Sequence, residues 1–291
     1  MADAALLDRL RPGDHVCWSF DGDAERRRLT AAYVRAGLRR DHQVVYLTSA
    51  ACTGEAIAEL TAERVETAPA LRSGRLRVAT ADDSYLASGA FDAESAFAMV
   101  AREIRQARRK GYAGLHAIGD MAWAVRGAPG SEQLERYERQ INRLYADGYA
   151  IGVCLYDQRL YGRPQLSELG RAHPATVTPR TAGTGTPLLR LARWPGRLWL
   201  CGEVDLSNRN ALEAVLTHLL EDTPAPPVTL DLTELRFADA TVCEWIVDLA
   251  RRSPGRLRIV GAQPSLRRLL LLHGAAEVPG LLDDPAQTPV G

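Results

Sequence analysis

Short apolar runs alternate with helical periodicity through the first part of the chain. HVCWSF (15–20), QVVYLTS (43–49), LRVATA (76–81), GLHAIGD (114–120) and AIGVCLYD (150–157) are brief, apolar and rich in β-branched or aromatic residues. That is the composition of strands buried on both faces. Between them, the stretch from Asp92 to Lys110 sets Phe97, Val100 and Ile104 at helical spacing behind an aspartate able to cap. The stretch from Ser131 to Asp147 does the same with Leu134, Tyr137, Ile141 and Leu144, and Gly148 marks its end. Strand and helix repeated in this way predict an open, doubly wound parallel α/β sheet.

The pattern then changes. LLRLARW, Pro195-Gly196 and RLWLCGEV read as a hairpin. A helix over 207–221 carries Leu212, Val215, Leu216 and Leu219 on one face. It is followed by a strand VTLDL (228–232), a helix over 241–251, a strand LRIVG (257–261) and a helix beginning near Pro264. Between the two parts, TVTPRTAGTGTP (176–187) has no apolar periodicity. The predicted organisation is an α/β domain over 1–178, a Thr/Gly/Pro linker over 179–187, a smaller α/β domain over 188–285 and a tail over 286–291.

Composition narrows the function classes. With 291 residues, 46% hydrophobic and 25% charged, the chain can bury two cores. A formal net charge of +0 gives no reason to expect nucleic acid or an anionic membrane as partner. Lys110 is the only lysine, an Arg bias that suggests a G+C-rich bacterial genome. The N-terminal segment lacks an apolar h-region, and the longest aliphatic run, Leu269 to Leu272, is far too short to span a bilayer. A cytoplasmic protein is expected. Five cysteines without a CxxC argue against a disulfide framework or a zinc ribbon.

Phosphate chemistry is not expected. A P-loop needs G-x-x-x-x-G-K-[ST] after the first strand, because backbone amides and a lysine cradle the phosphates. The sequence there is FDGDAERRRL, with one glycine, no lysine and three acidic residues. Asp120 ends a strand where a P-loop enzyme keeps its magnesium aspartate, but it has no cradle beside it. His15 and Cys17 are two apart on a strand and share a face, as do Cys154 and Tyr156. Such positions can converge near the carboxyl ends of central strands. A small-molecule pocket there, or a soft metal held by imidazole and thiolate, stands beside the plainer reading of core cysteines and a hydrogen-bonded histidine.

Thr241 also has two readings. Thr241-Val242-Cys243-Glu244 fits the S/T-x-x-E capping box, a local device needing no partner. The second reading comes from GEVDLSN (202–208), LDLTELRFADAT (230–241) and LRIVG, which in this order resemble the STAS domain of anti-sigma factor antagonists. The resemblance implies a phosphoacceptor at Thr241, modified by an anti-sigma factor with serine/threonine kinase activity. It also implies partner contacts at Asp205, Asp231, Asp239 and Thr241. The family pattern Asp-Ser-Ser-Gly is here Asp239-Ala240-Thr241-Val242, so only the aspartate is identical. GDHVCWSF, GLHAIGDMAWA, YERQINRLY, VCLYD and His173-Pro174 together resemble MEDS, the sensory domain of methanogen and methylotroph regulators. This implies a RecA-type fold without its phosphate loop, departing from the family at His116. It also adds His173 to the ligand-binding candidates His15, Cys17, Asp120, Cys154 and Tyr156, with His15, Cys17, Cys154 and His173 as metal candidates.

The expected protein is a non-enzymatic switch, with no cofactor required, in which a sensor of a small ligand governs a STAS module. Pairing of STAS domains between two chains stays open. The alternatives are a permanent STAS scaffold that is never phosphorylated and an α/β enzyme regulated by its STAS domain.

Overall fold

The computed structural model describes residues 6–178, 189–223 and 226–282. The expected linker (179–187) and tail (286–291) lie outside the described residues. Five strands of the first sheet fall on the apolar runs: β1 (His15–Phe20), β2 (Gln43–Thr48), β3 (Leu76–Thr80), β4 (Leu115–Asp120) and β5 (Ala150–Asp157). A sixth, β6 (Ala175–Val177), lies where Thr and Pro composition suggested the start of the linker. The six run parallel in the order β3-β2-β4-β5-β1-β6.

Helices make every crossover. They are α1 (Asp23–Arg39), α2 (Thr53–Ala62), α3 (Thr67–Arg72), α4 (Ala93–Arg109), α5 (Leu134–Tyr145) and α6 (Arg163–Arg171). Asp92 caps α4 as its position predicts, accepting from the Ser95 N–H at 2.8 Å. Helix α5 begins three residues later than expected. Ser131–Gln133 form a 3-10 turn instead, set by Gly130 at φ +84°, where a Cβ would lie 2.0 Å from the Phe91 carbonyl oxygen. The strand alternation divides β1 between two cores. Val16, Trp18 and Phe20 pack toward α1–α3, while Cys17 packs toward α4–α6, and His15 shares the face of Cys17.

The second domain is a four-stranded mixed sheet, β10-β9-β8-β7. Strands β7 (Arg190–Trp194) and β8 (Arg197–Val204) form the hairpin, turning at Gly196 with φ +70°. Then come α7 (Arg209–Asp222), β9 (Val228–Ala238), α8 (Ala240–Arg252), β10 (Leu257–Val260) and α9 (Pro264–Leu272). Strand β9 is longer than its apolar run predicts. Two register shifts against β8 let Leu235 and Ala238 continue the buried row. That extension carries the chain directly into Asp239 and α8.

The two domains meet broadly. The Arg190 Nε donates to buried Asp14 at 3.0 Å, and Arg193 pairs with Asp147 at 2.8 Å. Ala146, just beyond α5, joins the second core. The Pro174 carbonyl accepts from the Leu189 N–H and from Asn208 Nδ2, at 3.3 and 3.4 Å.

Candidate functional site

Three of the predicted ligands converge, around a fourth residue that sequence reasoning missed. His15 begins β1, Cys154 lies within β5 and His173 follows α6. The space between them is taken by the Glu138 carboxylate, projected down from α5 and fully buried. Its Oε2 lies 3.4 Å from His15 Nε2, 3.3 Å from His173 Nε2 and 3.4 Å from Cys154 Sγ. His15 Nε2 and Cys154 Sγ are themselves 3.4 Å apart. The chemically competent atoms of all four residues lie within 4.8 Å of one another. The other Glu138 oxygen, Oε1, accepts from the Tyr156 hydroxyl at 2.6 Å.

Two expectations are corrected here. Cys17 is not part of the group. It is buried on the face of His15, directly opposite Cys154 in the ladder, but its sulfur is not among the atoms that converge on Glu138. The cluster also does not open at the carboxyl ends of the strands. It lies against the face of the sheet under α5, where His15 stands opposite Gly152 and Cys154 lies two residues farther along β5 on the same face.

Neighbouring groups fix both imidazoles. Asn142 Nδ2 donates to the carbonyls of Glu138, Arg139 and Ala172 at 2.9, 3.0 and 2.7 Å, which turns its Oδ1 toward His15 Nδ1 at 2.9 Å. An acceptor there requires the proton on His15 Nδ1. His173 Nδ1 likewise donates to the Leu169 carbonyl at 2.7 Å. Both Nε2 atoms therefore turn toward Glu138. His173 Nε2 is buried without a hydrogen-bond partner. Burial, followed by the nearness of His173, pulls the His15 imidazole below its ordinary range. Burial pushes the Cys154 thiol well up. Burial also opposes ionisation of Glu138, but His173 and His15 facing it hold its carboxyl below the usual range.

Asp120 belongs to a different place. Its Oδ2 accepts from the Ser49 hydroxyl at 2.6 Å and its Oδ1 from the Ala122 N–H at 3.1 Å, while burial raises its pKa. It lines a charged cleft with Arg26, Arg126 and Arg159 at the carboxyl end of the sheet. The structure thus separates it from the buried cluster.

In the second domain, Asp239 caps α8. Its Oδ1 accepts from the Val242 N–H at 2.8 Å and its Oδ2 from the Leu206 N–H at 3.1 Å. The capping-box reading of Thr241 is therefore replaced. Thr241 is the second helical residue, exposed, and its hydroxyl makes no hydrogen bond among the described residues. Asp205 belongs to the same surface, its carboxylate accepting from the Ser207 N–H and hydroxyl at 2.8 and 2.6 Å. Asp231 does not. It lies on the order of 20 Å back along β9, buried, accepting from the Thr233 hydroxyl at 2.6 Å and from Arg197 at 2.5 Å. Exposed Leu206 and Phe237 flank the Asp239–Thr241 turn, a pairing that the sequence reading did not single out. A groove of about 500 Å³ beside it is lined by Leu166, Gly170 and Arg171 of α6 and by Asp205, Leu206 and Asp239.

Residues 14–174 match the family MEDS, the methanogen/methylotroph, DcmR sensory domain, and residues 189–283 match the Mlab, STAS domain. No curated protein matches the chain. Among solved structures, the chain is similar to the flagellar accessory protein FlaH from Methanocaldococcus jannaschii, with 14% identity over 69% of this chain and 82% of that one, at a TM-score of 0.44. It is also similar to the KaiC-like protein PH0186 from Pyrococcus horikoshii OT3, with 7% identity over 65% and 78% of the two chains, at a TM-score of 0.43. At those scores the fold assignment rests on the strand order and the helical crossovers. No helix among the described residues is long and apolar enough to cross a membrane.

Proposed function

The chain belongs to the MEDS family of sensory domains, with a STAS domain behind it, and on that premise we propose that it is a signalling switch, an anti-sigma factor antagonist. The STAS domain docks a kinase-type anti-sigma factor on the face formed by Asp205, Leu206, Phe237, Asp239 and Thr241. The observation that carries this reading is the composition of that face. Two large apolar side chains stand exposed beside an acidic turn, and Thr241 in the same turn is exposed with no hydrogen bond to its hydroxyl among the described residues. Exposed apolar groups rimmed by charge mark protein-binding surfaces.

Phosphate on Thr241 would add roughly −1.5 to −2 charge within a surface already carrying Asp205 and Asp239. Repulsion and bulk then release the partner, while the N-terminus of α8 tolerates the charge, so the domain stays folded. The sensory domain has a route to this surface, since α6 lines the adjacent groove and the residue after His173 holds Asn208. The MEDS domain senses a small ligand and has no catalytic role. This is tested by titrating the full chain and its Thr241→Ala and Thr241→Glu variants against a kinase-type anti-sigma factor encoded in the same genome. Thr241→Ala should keep the partner bound when ATP is present, and Thr241→Glu should bind at least tenfold more weakly with unchanged circular dichroism. Equal affinity for all three would leave a permanent scaffold, the reading that Ala240 and Val242 favour.

A further inference from the structure

We propose that His15, Glu138, Cys154 and His173 form a closed tetrahedral site for one divalent zinc ion in the sensory domain. The inference stands apart from the STAS reading and does not involve Thr241.

Geometry comes first. Zinc bonds nitrogen and oxygen at about 2.0–2.2 Å and sulfur at about 2.3 Å, so the edges of its tetrahedron measure roughly 3.3–3.8 Å. Four of the six edges between the ligand atoms measure 3.3, 3.4, 3.4 and 3.4 Å, and the two from His173 to His15 and Cys154 lie within 4.8 Å, so His173 has to draw in slightly on binding. The four short edges match atoms that share one ion. The two from imidazole nitrogen to the Glu138 oxygen, at 3.4 and 3.3 Å, are long for hydrogen bonds, whose usual distance is about 2.9–3.0 Å.

Tautomers come second. The Asn142 oxygen and the Leu169 carbonyl place both imidazole protons on Nδ1. With both imidazoles neutral, two Nε2 lone pairs face the buried Glu138 carboxylate, a set of donors that calls for a positive charge between them: a metal ion, or protons on Nε2 in its absence. His173 Nε2 is the unpartnered buried atom that such an ion would satisfy.

Charge comes third. A zinc ion with one carboxylate, one thiolate and two neutral imidazoles sums to zero, which avoids the large cost of burying net charge. Binding displaces one proton, from the Cys154 thiol to solvent, and forms the sulfur–zinc bond. Mixed nitrogen, sulfur and oxygen ligands in this geometry favour zinc over magnesium or calcium. The supporting shell is already built. Tyr156 occupies Glu138 Oε1 and leaves Oε2 as the single oxygen ligand, and Asn142 and Leu169 orient the imidazoles. Four protein ligands leave no open position, so the ion would hold β1, β5, α5 and the segment after α6 together without activating water.

The test uses the purified full chain. Elemental analysis should give about one zinc per chain. Exchange for Co²⁺ should produce a thiolate-to-cobalt charge-transfer band and the intense visible bands of a tetrahedral site. Cys154→Ser should abolish the charge-transfer band, while Cys17→Ser keeps it. Tyr156→Phe, a mild change, should weaken zinc affinity by about 10–100-fold. A folded wild-type chain that takes up neither zinc nor cobalt from excess would overturn the site and leave a protonated hydrogen-bond cluster. A cobalt band lost in Cys17→Ser but kept in Cys154→Ser would overturn the ligand set.

Discussion

Asp239→Ala separates the two roles that the first turn of α8 offers. The substitution removes the bonds from the Val242 N–H at 2.8 Å and from the Leu206 N–H at 3.1 Å. Loss of an N-cap costs about 0.5–2 kcal/mol. The second bond ties down the 205–208 loop and adds about 0.5–1.5 kcal/mol. Together these give a destabilisation of about 1–3.5 kcal/mol. Thr241→Ala removes a hydroxyl with no partner among the described residues, at an exposed site where changes stay within about 0.5 kcal/mol. With a urea slope of about 2 kcal/mol/M, Asp239→Ala should lower the midpoint for the second domain by about 0.5–1.75 M, and Thr241→Ala by no more than about 0.25 M. Asp239→Asn keeps one carbonyl acceptor and should recover about half of the loss. The assay is urea unfolding of the full chain, followed by far-UV circular dichroism and tryptophan fluorescence. A Thr241→Ala variant as unstable as Asp239→Ala would refute the assignment of the cap and restore the capping-box reading.

Two further outcomes follow from the charged groups. Burial opposes ionisation of Asp231, but the Thr233 and Arg197 hydrogen bonds outweigh it and lower its pKa below 3.8. Its contribution to stability is therefore full above that value and fades as pH falls through the lowered folded pKa. Asp231→Asn should be less stable than wild type at pH 6, and the gap should shrink toward pH 2; a constant gap in urea midpoints would contradict this. The chain should neither bind ATP tightly nor hydrolyse it, since the cleft of Asp120 also carries Asp23, Glu59 and Asp157 and no lysine. Saturable, magnesium-dependent turnover abolished by Asp120→Asn would favour the enzyme reading.

The strands of the first sheet were legible because burial on both faces leaves continuous apolar runs. Strand β6 was not, since its three residues, Ala175–Val177, look like the linker that follows them. His15 and Cys154 were legible from strand periodicity, and His173 from family resemblance. Cys17 was misplaced because a shared face and register bring it opposite Cys154 without bringing its short side chain to the Glu138 carboxylate. Glu138 was missed because a helical glutamate ordinarily reads as solvated. A signal was present, however: Leu134, Glu138, Ile141 and Tyr145 fall on one stripe of α5, so the carboxylate occupies an apolar position. At Asp239 and Thr241 two overlapping capping patterns competed. The length of β9 decides between them, since pairing to Ala238 leaves Asp239 extended and Thr241 already helical, and that length depends on register shifts no local pattern encodes.

The most direct test of the switch is to incubate the full chain with its cognate kinase-type anti-sigma factor and ATP, map phosphopeptides, and measure affinity before and after. The account predicts one phosphate, on Thr241, and affinity for the partner reduced at least tenfold. An unmodified Thr241, or phosphate there with the partner bound as tightly as before, would contradict it.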